Sequence, residues 1–373
     1  MTTVKKNIAV LAGDGIGPEV TRAAIQILQD CSAAFGHTFN FRELPFGGEA
    51  IDRCGMPLPA ETLAGCRSAD AILLGAIGGP SWDKLPLDIR PESGLLALRK
   101  ELGLFINLRP IRVRPALQSI SPLRPERIEG CDFEIVRELA GDIYFGKHEL
   151  RQETAKGFAR DTAVYTTAEV ERVARFAFER AEGRNRRVTS VDKANVLATS
   201  VLWRHTVTEL APEFPAVTLD HLYVDNAAMQ ILLRPKQFDV ILTSNLFGDI
   251  LSDEAAALAG SIGLIPSMSC GKEGEPALYE PIHGSAPSLA GKDVACPLGA
   301  IFSASLMMRE SFGLEIEAHW IESAVDRVLA RGYRTSDIAE PGGRIVPGSE
   351  LTRQIRTEFH DAVPHSERYG WGV

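Results

Sequence analysis

Short apolar runs alternate with amphipathic stretches along this chain, and the alternation predicts a largely parallel α/β organisation. Ile8 to Leu11 reads as a buried strand, followed by a turn over Gly13 to Pro18 and an amphipathic helix from Glu19 to Leu28. Ala71 to Leu74 is a second apolar strand, running into a glycine-rich loop at Gly75 to Pro80. A helix from Ser93 to Leu102 precedes an extended stretch, Leu104 to Ile111, that suits passage into a second domain. Further strands are expected at Asp132 to Arg137 and Gly141 to Phe145, and Thr166-Thr-Ala-Glu169 has the spacing of a capping box before a helix through Ala181. The strand Arg187 to Val191, the helix Ser200 to Leu210, the strand Thr218 to Val224 and the helix Ala227 to Leu233 follow in turn. A last apolar strand, Phe238 to Leu242, delivers Asn245. The closing segment, His365 to Val373, lacks periodicity and reads as a loose tail or a small docking segment.

Length and charge narrow the class. A chain of 373 residues is long for one hydrophobic core, so two domains are expected. A net charge of -9 gives no footprint for nucleic acid or an anionic membrane surface, so anionic metabolites would have to be captured by specific arginines. The six cysteines, Cys31, Cys54, Cys66, Cys131, Cys270 and Cys296, form no C-x-x-C pair and no ligand-like group with histidine. Reduced thiols in a cytoplasmic protein are therefore expected rather than a disulfide framework or a zinc site. The opening residues run straight into a strand and no long apolar run follows, so neither a signal peptide nor a membrane span is expected.

Chemistry first shows in Asn245-Leu-Phe-Gly-Asp-Ile-Leu-Ser-Asp253, which reads as the start of a helix. Asp249 and Asp253 are four residues apart and so share one helix face. Two readings fit: a pair of oxygen donors for Mg2+ or Mn2+, or an N-cap with a second carboxylate that complements the helix dipole. Glu92, Leu95, Leu96 and Arg99 form another stripe at i, i+3, i+4 and i+7. It is either core packing, or a guanidinium that clamps a carboxylate while two leucines receive an alkyl group. Arg109 and Arg137 are further carboxylate candidates or surface ion-pair residues. Tyr144 and Lys193 each follow a strand-like run, where open α/β sheets place their ligands. Near a metal and arginines, the lysine would have a lowered pKa suited to a base and the phenol could deliver a proton; otherwise they are a packing residue and a solvated cation. The Gly13-Asp-Gly-Ile-Gly17 loop departs from the dinucleotide fingerprint because its third glycine comes one residue early.

Long motifs decide between these alternatives. Gly13-Asp-Gly-Ile-Gly-Pro-Glu19, Leu74-Gly-Ala-Ile-Gly-Gly-Pro80, Val136-Arg-Glu-Leu139, Ile143-Tyr-Phe-Gly146, Ser190-Val-Asp-Lys-Ala-Asn-Val196, Tyr223-Val-Asp-Asn-Ala-Ala-Met229, Asn245 to Asp253 and Tyr279-Glu-Pro-Ile-His-Gly-Ser-Ala-Pro287 occur in this order. From about Ile8 to at least Leu351 the chain resembles the isocitrate/isopropylmalate group of β-decarboxylating dehydrogenases, most closely the branch that acts on 3-isopropylmalate. The resemblance implies an α/β, two-domain fold of that type rather than a Rossmann fold. Its first domain is built from about 1–104 and 262–373 and carries the cofactor loop; its second, 105–261, carries the dimer interface and the metal aspartates.

The resemblance further implies that Arg99, Arg109 and Arg137 bind the two carboxylates of a malate-type substrate. Glu92, Leu95 and Leu96 match positions that meet its side group and the nicotinamide. Asp225, Asp249 and Asp253 match the ligands of Mg2+ or Mn2+ against the substrate hydroxyl, which also brings Asp225 to the substrate. Lys193 matches the base that takes the hydroxyl proton, and Tyr144 the acid that protonates carbon after CO2 leaves. Asp225 and Lys193 would come from a second subunit, so a homodimer with shared active sites is implied. Ile16, Asn195, Glu280, His283, Gly284, Ser285 and Ala286 match cofactor-contacting positions, with NAD as the expected cofactor.

Departures cluster in that cofactor loop. Ser288 stands where NAD-dependent relatives usually carry aspartate and NADP-dependent ones lysine, and Cys296 replaces an asparagine expected to reach adenine. Both weaken the expected adenosine contacts. Smaller departures are Ala12 and Ala259, where proline is common. The expected activity is oxidative decarboxylation of 3-isopropylmalate in leucine biosynthesis. The alternatives are a sister enzyme for another 3-substituted malate, tartrate, malate or homoisocitrate, and a non-catalytic regulatory subunit. The last would be expected to lose the metal or acid/base residues that this chain retains.

Overall fold

The computed structural model describes residues 3–151 and 156–363, so the tail from His365 lies outside the described residues. The chain divides into two compact units: Met1–Gly103, Arg114–Ser121 and Ala259–Val373 form the first, Leu104–Val113 and Pro122–Leu258 the second. The first unit opens with β1 (Lys5–Gly13), α1 (Gly17–Phe35), β2 (Thr38–Glu43), α2 (Gly48–Cys54), α3 (Ala60–Arg67), β3 (Ala71–Ala76) and α4 (Pro91–Glu101). The second holds β4 (Ile106–Arg112), α5 (Pro125–Ile128), β5 (Asp132–Glu138), β6 (His148–Arg151), β7 (Phe158–Asp161), α6 (Thr167–Glu182) and β8 (Arg187–Asp192). It continues through α7 (Ala198–Leu210), β9 (Thr218–Tyr223), α8 (Val224–Leu233), β10 (Val240–Thr243) and α9 (Asn245–Ala259). The chain then returns to the first unit with β11 (Pro266–Cys270), β12 (Ala277–Pro281), α10 (Leu298–Glu310), α11 (Glu315–Ala330), β13 (Tyr333–Arg334), β14 (Arg344–Ile345) and α12 (Gly348–Ala362).

In the first unit the strands run in the order β2-β1-β3-β12-β11, parallel except for the β11–β12 pair. α1 turns Val20, Ala24, Ile27, Leu28 and Cys31 into the core and packs on α10, whose residues from Leu298 to Met308 are all buried. A helix apolar on every side belongs in the interior, and α10 is the central rod of this unit. The carboxyl ends of β1, β3 and β12 lie at one edge because these strands are mutually parallel. Three loops therefore gather there: Gly13–Gly17, Gly75–Pro80 and the segment from Ile282 to Ser288. Open α/β sheets receive ligands at such an edge.

Asp14 ties part of that edge together. Its buried carboxylate accepts the Gly48 N–H at 2.9 Å, the Glu49 N–H at 2.9 Å and the Gly78 N–H at 2.8 Å. Burial nevertheless raises its pKa above the ordinary aspartate value. Gly15, at φ +59°, serves a different contact: a Cβ there would stand 2.0 Å from the Ser285 carbonyl oxygen, and the Ile16 N–H donates to that same oxygen at 2.8 Å. Backbone approach to the 282–288 loop, not a phosphate cradle, accounts for this glycine.

In the second unit the order is β4-β5-β10-β8-β9, with β4 antiparallel to β5 and the other pairs parallel. Four carboxyl ends thus face one edge, and Arg137, Asn245, Lys193 and Asp225 sit in or just beyond β5, β10, β8 and β9 respectively. The capping box at Thr166 and Glu169 starts α6, with each partner meeting the other's backbone N–H. One expected strand is absent. Gly141 to Phe145 forms a turn, because the Glu138 carboxylate accepts the Ala140 and Gly141 N–H groups at 2.9 and 2.8 Å and ends β5. Asp142 then takes a left-handed φ of 68° and accepts the Ile143 N–H on its own side chain. Side-chain carboxylates claim the N–H groups that a strand ladder would have used.

Arg334, on β13, is buried at 2% exposure. Its guanidinium donates to the Leu329, Tyr333 and Ala116 carbonyls at 2.6, 2.9 and 2.6 Å, fixing the end of α11 against residues 114–121. Arg334→Ala removes the guanidinium donor from the Tyr333 and Ala116 carbonyls and breaks its ion pair with Glu340, and is expected to lower stability by roughly 3–5 kcal/mol. Chemical denaturation followed by circular dichroism checks this; an unchanged midpoint would remove Arg334 from the account.

Candidate active site

The densest polar cluster of the second unit is built on α9. Helix α9 begins at Asn245, so Asp249 lies past its first turn and is not its N-cap. Asp249 Oδ1 accepts from Arg109 Nη2 at 3.3 Å and from Arg137 Nη1, while Oδ2 accepts the Tyr144 hydroxyl at 3.0 Å. Asp253, one turn on, comes within 3.5 Å of Arg109. Burial and the neighbouring Asp249 charge raise the Asp253 pKa against the pull of the arginines. Two carboxylates side by side, one already resisting ionisation, form a donor set that a divalent cation would relieve.

The arginines are held before any ligand arrives. Arg109 Nε donates to Asn107 Oδ1 at 2.7 Å and Nη1 to Ser252 Oγ at 2.5 Å. Arg137 donates twice to Asn245 Oδ1, from Nε at 3.0 Å and from Nη2 at 2.7 Å. Antiparallel pairing sets Asn107 opposite Arg137, so Arg109, two residues on, is diagonal to Arg137 on the same face. Gly248 is required here because a Cβ would lie 2.6 Å from Arg137 Cγ. The Tyr144 phenol is half-buried, and burial together with the Asp249 charge holds its pKa above the ordinary tyrosine value. It stays protonated at neutral pH, as an acid requires.

A second polar group forms around β8 and β9. Lys193 Nζ donates to Asp225 in a close ion pair, and this hydrogen bond holds the Asp225 carboxyl below its usual range. The preceding Asp192 anchors the loop: it accepts from the Ala194 N–H at 2.9 Å and from Arg204 at 2.8 and 2.9 Å. Asn195 follows in this loop, exposed. Among the described residues no three His, Cys, Asp or Glu side chains form a metal-holding group within one chain. Asp225 is thus not gathered with Asp249 and Asp253 by this chain's own fold.

In the first unit, Arg99 Nη2 donates to Glu280 at 2.7 Å, and Arg99 Nε is buried without a partner among the described residues. On the same helix Leu98 goes to the core, whereas Leu95 and Leu96 stay half-exposed and Glu92 exposed. The Glu92–Arg99 stripe is therefore not the core face of α4. In the 282–288 loop, His283 is buried and its pKa is lowered by that burial. Its Nδ1 meets the Gly284 carbonyl at 2.9 Å, which can only accept, so the proton sits on Nδ1 and Nε2 presents a lone pair. Nε2 is buried with no partner among the described residues, a fit for a ligand's N–H or O–H. Ala286 has φ 38°, Ser288 is exposed, and Cys296 is buried with its thiol pushed up to about 12. Asn107, Asn245 and Ser252 were not singled out from the sequence as arginine holders, although Asn245 and Ser252 stand inside the Asn245 to Asp253 motif and Asn107 two residues before Arg109.

The chain is 58% identical to a 3-isopropylmalate dehydrogenase of Halalkalibacterium halodurans, over 97% of this chain and 99% of that one. It is 55% identical to a 3-isopropylmalate dehydrogenase of Haemophilus influenzae, over 94% and 99%. Among solved structures, an isocitrate dehydrogenase from Methylococcus capsulatus matches with a TM-score of 0.84 at 30% identity, covering 95% of this chain and 99% of that one. A β-decarboxylating dehydrogenase from Thermococcus kodakarensis, in its apo form, matches with a TM-score of 0.78 at 36% identity, covering 98% and 99%. With the model of the family matching residues 7–355, the chain belongs to the isocitrate/isopropylmalate dehydrogenase family and has its fold.

Proposed function

We propose that this enzyme oxidatively decarboxylates (2R,3S)-3-isopropylmalate to 4-methyl-2-oxopentanoate and CO2, reducing NAD, as a step of leucine biosynthesis. The observation that carries the reading is the meeting of Asp249 with Arg109, Arg137 and Tyr144 at one carboxylate. Relatives at 51–58% identity named 3-isopropylmalate dehydrogenase support the choice of substrate, and Leu95 and Leu96, half-exposed on α4 beside Arg99, suit its branched alkyl group.

Each residue then has a task. Arg99, Arg109 and Arg137 bind the two carboxylates, and the prior anchoring of Arg109 and Arg137 lowers the cost of ordering them. Asp249 and Asp253, joined by Asp225 of a second copy, hold Mg2+ or Mn2+, which supplies Lewis-acid polarisation of the hydroxyl and charge stabilisation during decarboxylation. Lys193 of that second copy accepts the hydroxyl proton. Tyr144 donates its phenolic proton to the carbon that loses CO2. Ile16, Asn195, Glu280 and the His283–Ala286 loop hold NAD, which supplies the hydride acceptor, with the His283 Nε2 lone pair taking a donor from it. The working form is a homodimer with shared active sites, located in the cytoplasm.

Purified protein is expected to form NADH from 3-isopropylmalate only with Mg2+ or Mn2+, and to lose activity in excess EDTA. A panel that includes other 3-substituted malates, tartrate, malate and homoisocitrate tests the substrate; a higher kcat/KM on any of these would replace the reading. Tyr144→Phe and Lys193→Met each should lower kcat by about a hundredfold or more, with a small change in KM. Ser288→Asp should raise the preference for NAD over NADP on the order of tenfold by adding a charge that repels the 2'-phosphate. Steady-state kinetics with both nucleotides reads that ratio, and no change would detach residue 288 from adenosine recognition.

A further inference from the structure

Glu138 stands in the quoted Val136–Leu139 motif and has no task in the chemistry above, yet it is fully buried. A carboxylate in such a place needs donors, and four groups serve it. Besides the Ala140 and Gly141 N–H groups, Oε2 accepts the Tyr165 hydroxyl at 3.1 Å and Oε1 lies 3.5 Å from Arg172 Nη2. The Tyr165 oxygen in turn accepts the Asn245 N–H at 3.0 Å. That amide opens α9 and has no intrahelical acceptor of its own. One phenol thus joins the end of β5 to the first residue of the helix that carries Asp249 and Asp253.

The turn bearing Tyr144 is fastened to the same point from the other side. Asn245 Nδ2 donates to the Gly141 carbonyl at 3.1 Å, and the Leu246 N–H donates to Asp142 Oδ2 at 3.1 Å. Gly141 lies directly on the Tyr165 ring, where a Cβ would approach Cε1 to 2.7 Å. The ring itself is fixed edge-on against Trp203, with centroids 5.4 Å apart. The turn and the start of α9 therefore both take their positions from the Glu138–Tyr165–Asn245 chain of hydrogen bonds.

We propose that Tyr165 and Glu138 are positioning residues for the reaction, setting the Tyr144 phenol and the Asp249 carboxylate relative to one another through Asn245 and the 140–146 turn. Neither touches the candidate substrate groups; Tyr165 acts through Asn245, and Glu138 through Tyr165 and the Ala140 and Gly141 N–H groups of the turn. The substrate and metal in this inference rest on the proposed function, but the hydrogen-bond chain does not. Loss of the Tyr165 hydroxyl removes the acceptor of the Asn245 N–H and one donor to a buried carboxylate together, while the ring keeps its packing. Displacements of about 1 Å in such arrangements cost up to a hundredfold in rate.

The test compares Tyr165→Phe with Phe178→Leu in the full-length protein. Tyr165→Phe is expected to lower kcat about tenfold or more with KM for 3-isopropylmalate within about threefold, since Arg109 is held independently by Asn107 and Ser252. Mn2+ binding followed by electron paramagnetic resonance should weaken in the same variant. Phe178→Leu, which loosens the buried stack on Phe214 and leaves the hydroxyl and its partners in place, is expected to lower the melting temperature while kcat and Mn2+ affinity hold. A folded Tyr165→Phe protein with wild-type kcat and Mn2+ affinity overturns the proposal, as does equal loss of kcat in both variants. If Tyr165→Phe does not fold, Glu138→Gln is read in the same way with the same two outcomes. If the wild type does not oxidise 3-isopropylmalate, the proposed function fails by itself, and the Mn2+ comparison still decides the role of Tyr165.

Discussion

The parallel pairing of β5 with β10, which sets Arg137 opposite Thr243, is the constraint on which the second unit's chemistry depends. It brings Asn245, two residues beyond Thr243, into reach of the Arg137 guanidinium, and it starts α9 at that point. Once the helix starts there, its period decides which side chains follow. Asp249 and Asp253 come round on the face beside Arg109 and Arg137, with Gly248 leaving room for the Arg137 stem. A slip of one residue in the β5–β10 register would turn Arg137 to the other face of the sheet, and no rotamer change could restore the contact.

The charges in this cluster are balanced by placement rather than by number. Arg109 and Arg137 are almost wholly buried, and each spends part of its fork on a neutral amide, Asn107 or Asn245, leaving the rest for carboxylates. A guanidinium fixed in this way is preorganised, so a ligand carboxylate would pay little of the usual ordering entropy. The first unit solves its own version of the problem differently. There Arg99 is matched against Glu280, a full charge, and retains one buried donor without a partner among the described residues.

Much of this was legible in the residue order. The aspartate pair, the arginine candidates, Tyr144 and Lys193 could be singled out because carboxylate spacing and positions after apolar strands carry local signals. The capping box before α6 and the strands from β8 to β10 were likewise visible from pattern. What was not legible depends on contacts distant in sequence. Gly141 to Phe145 alternates like a strand, but Glu138, Asp142 and Asn245 claim its polar groups and bend it into a turn. Tyr165 lies outside every motif; only its place before the Thr166 cap marks it, and nothing local reveals that its hydroxyl meets residues 27 positions before and 80 after it.

The Asp14 carboxylate has a consequence of a different kind. Three amide protons, on Gly48, Glu49 and Gly78, belong to chain segments up to 64 residues from Asp14 yet share a single acceptor side chain. When any one of them opens, the other two still hold the carboxylate, so the loop that leaves finds its acceptor in the same place when it returns. The loops after β1 and β3 and the start of α2 are thus each fastened to a common fixed point rather than to one another.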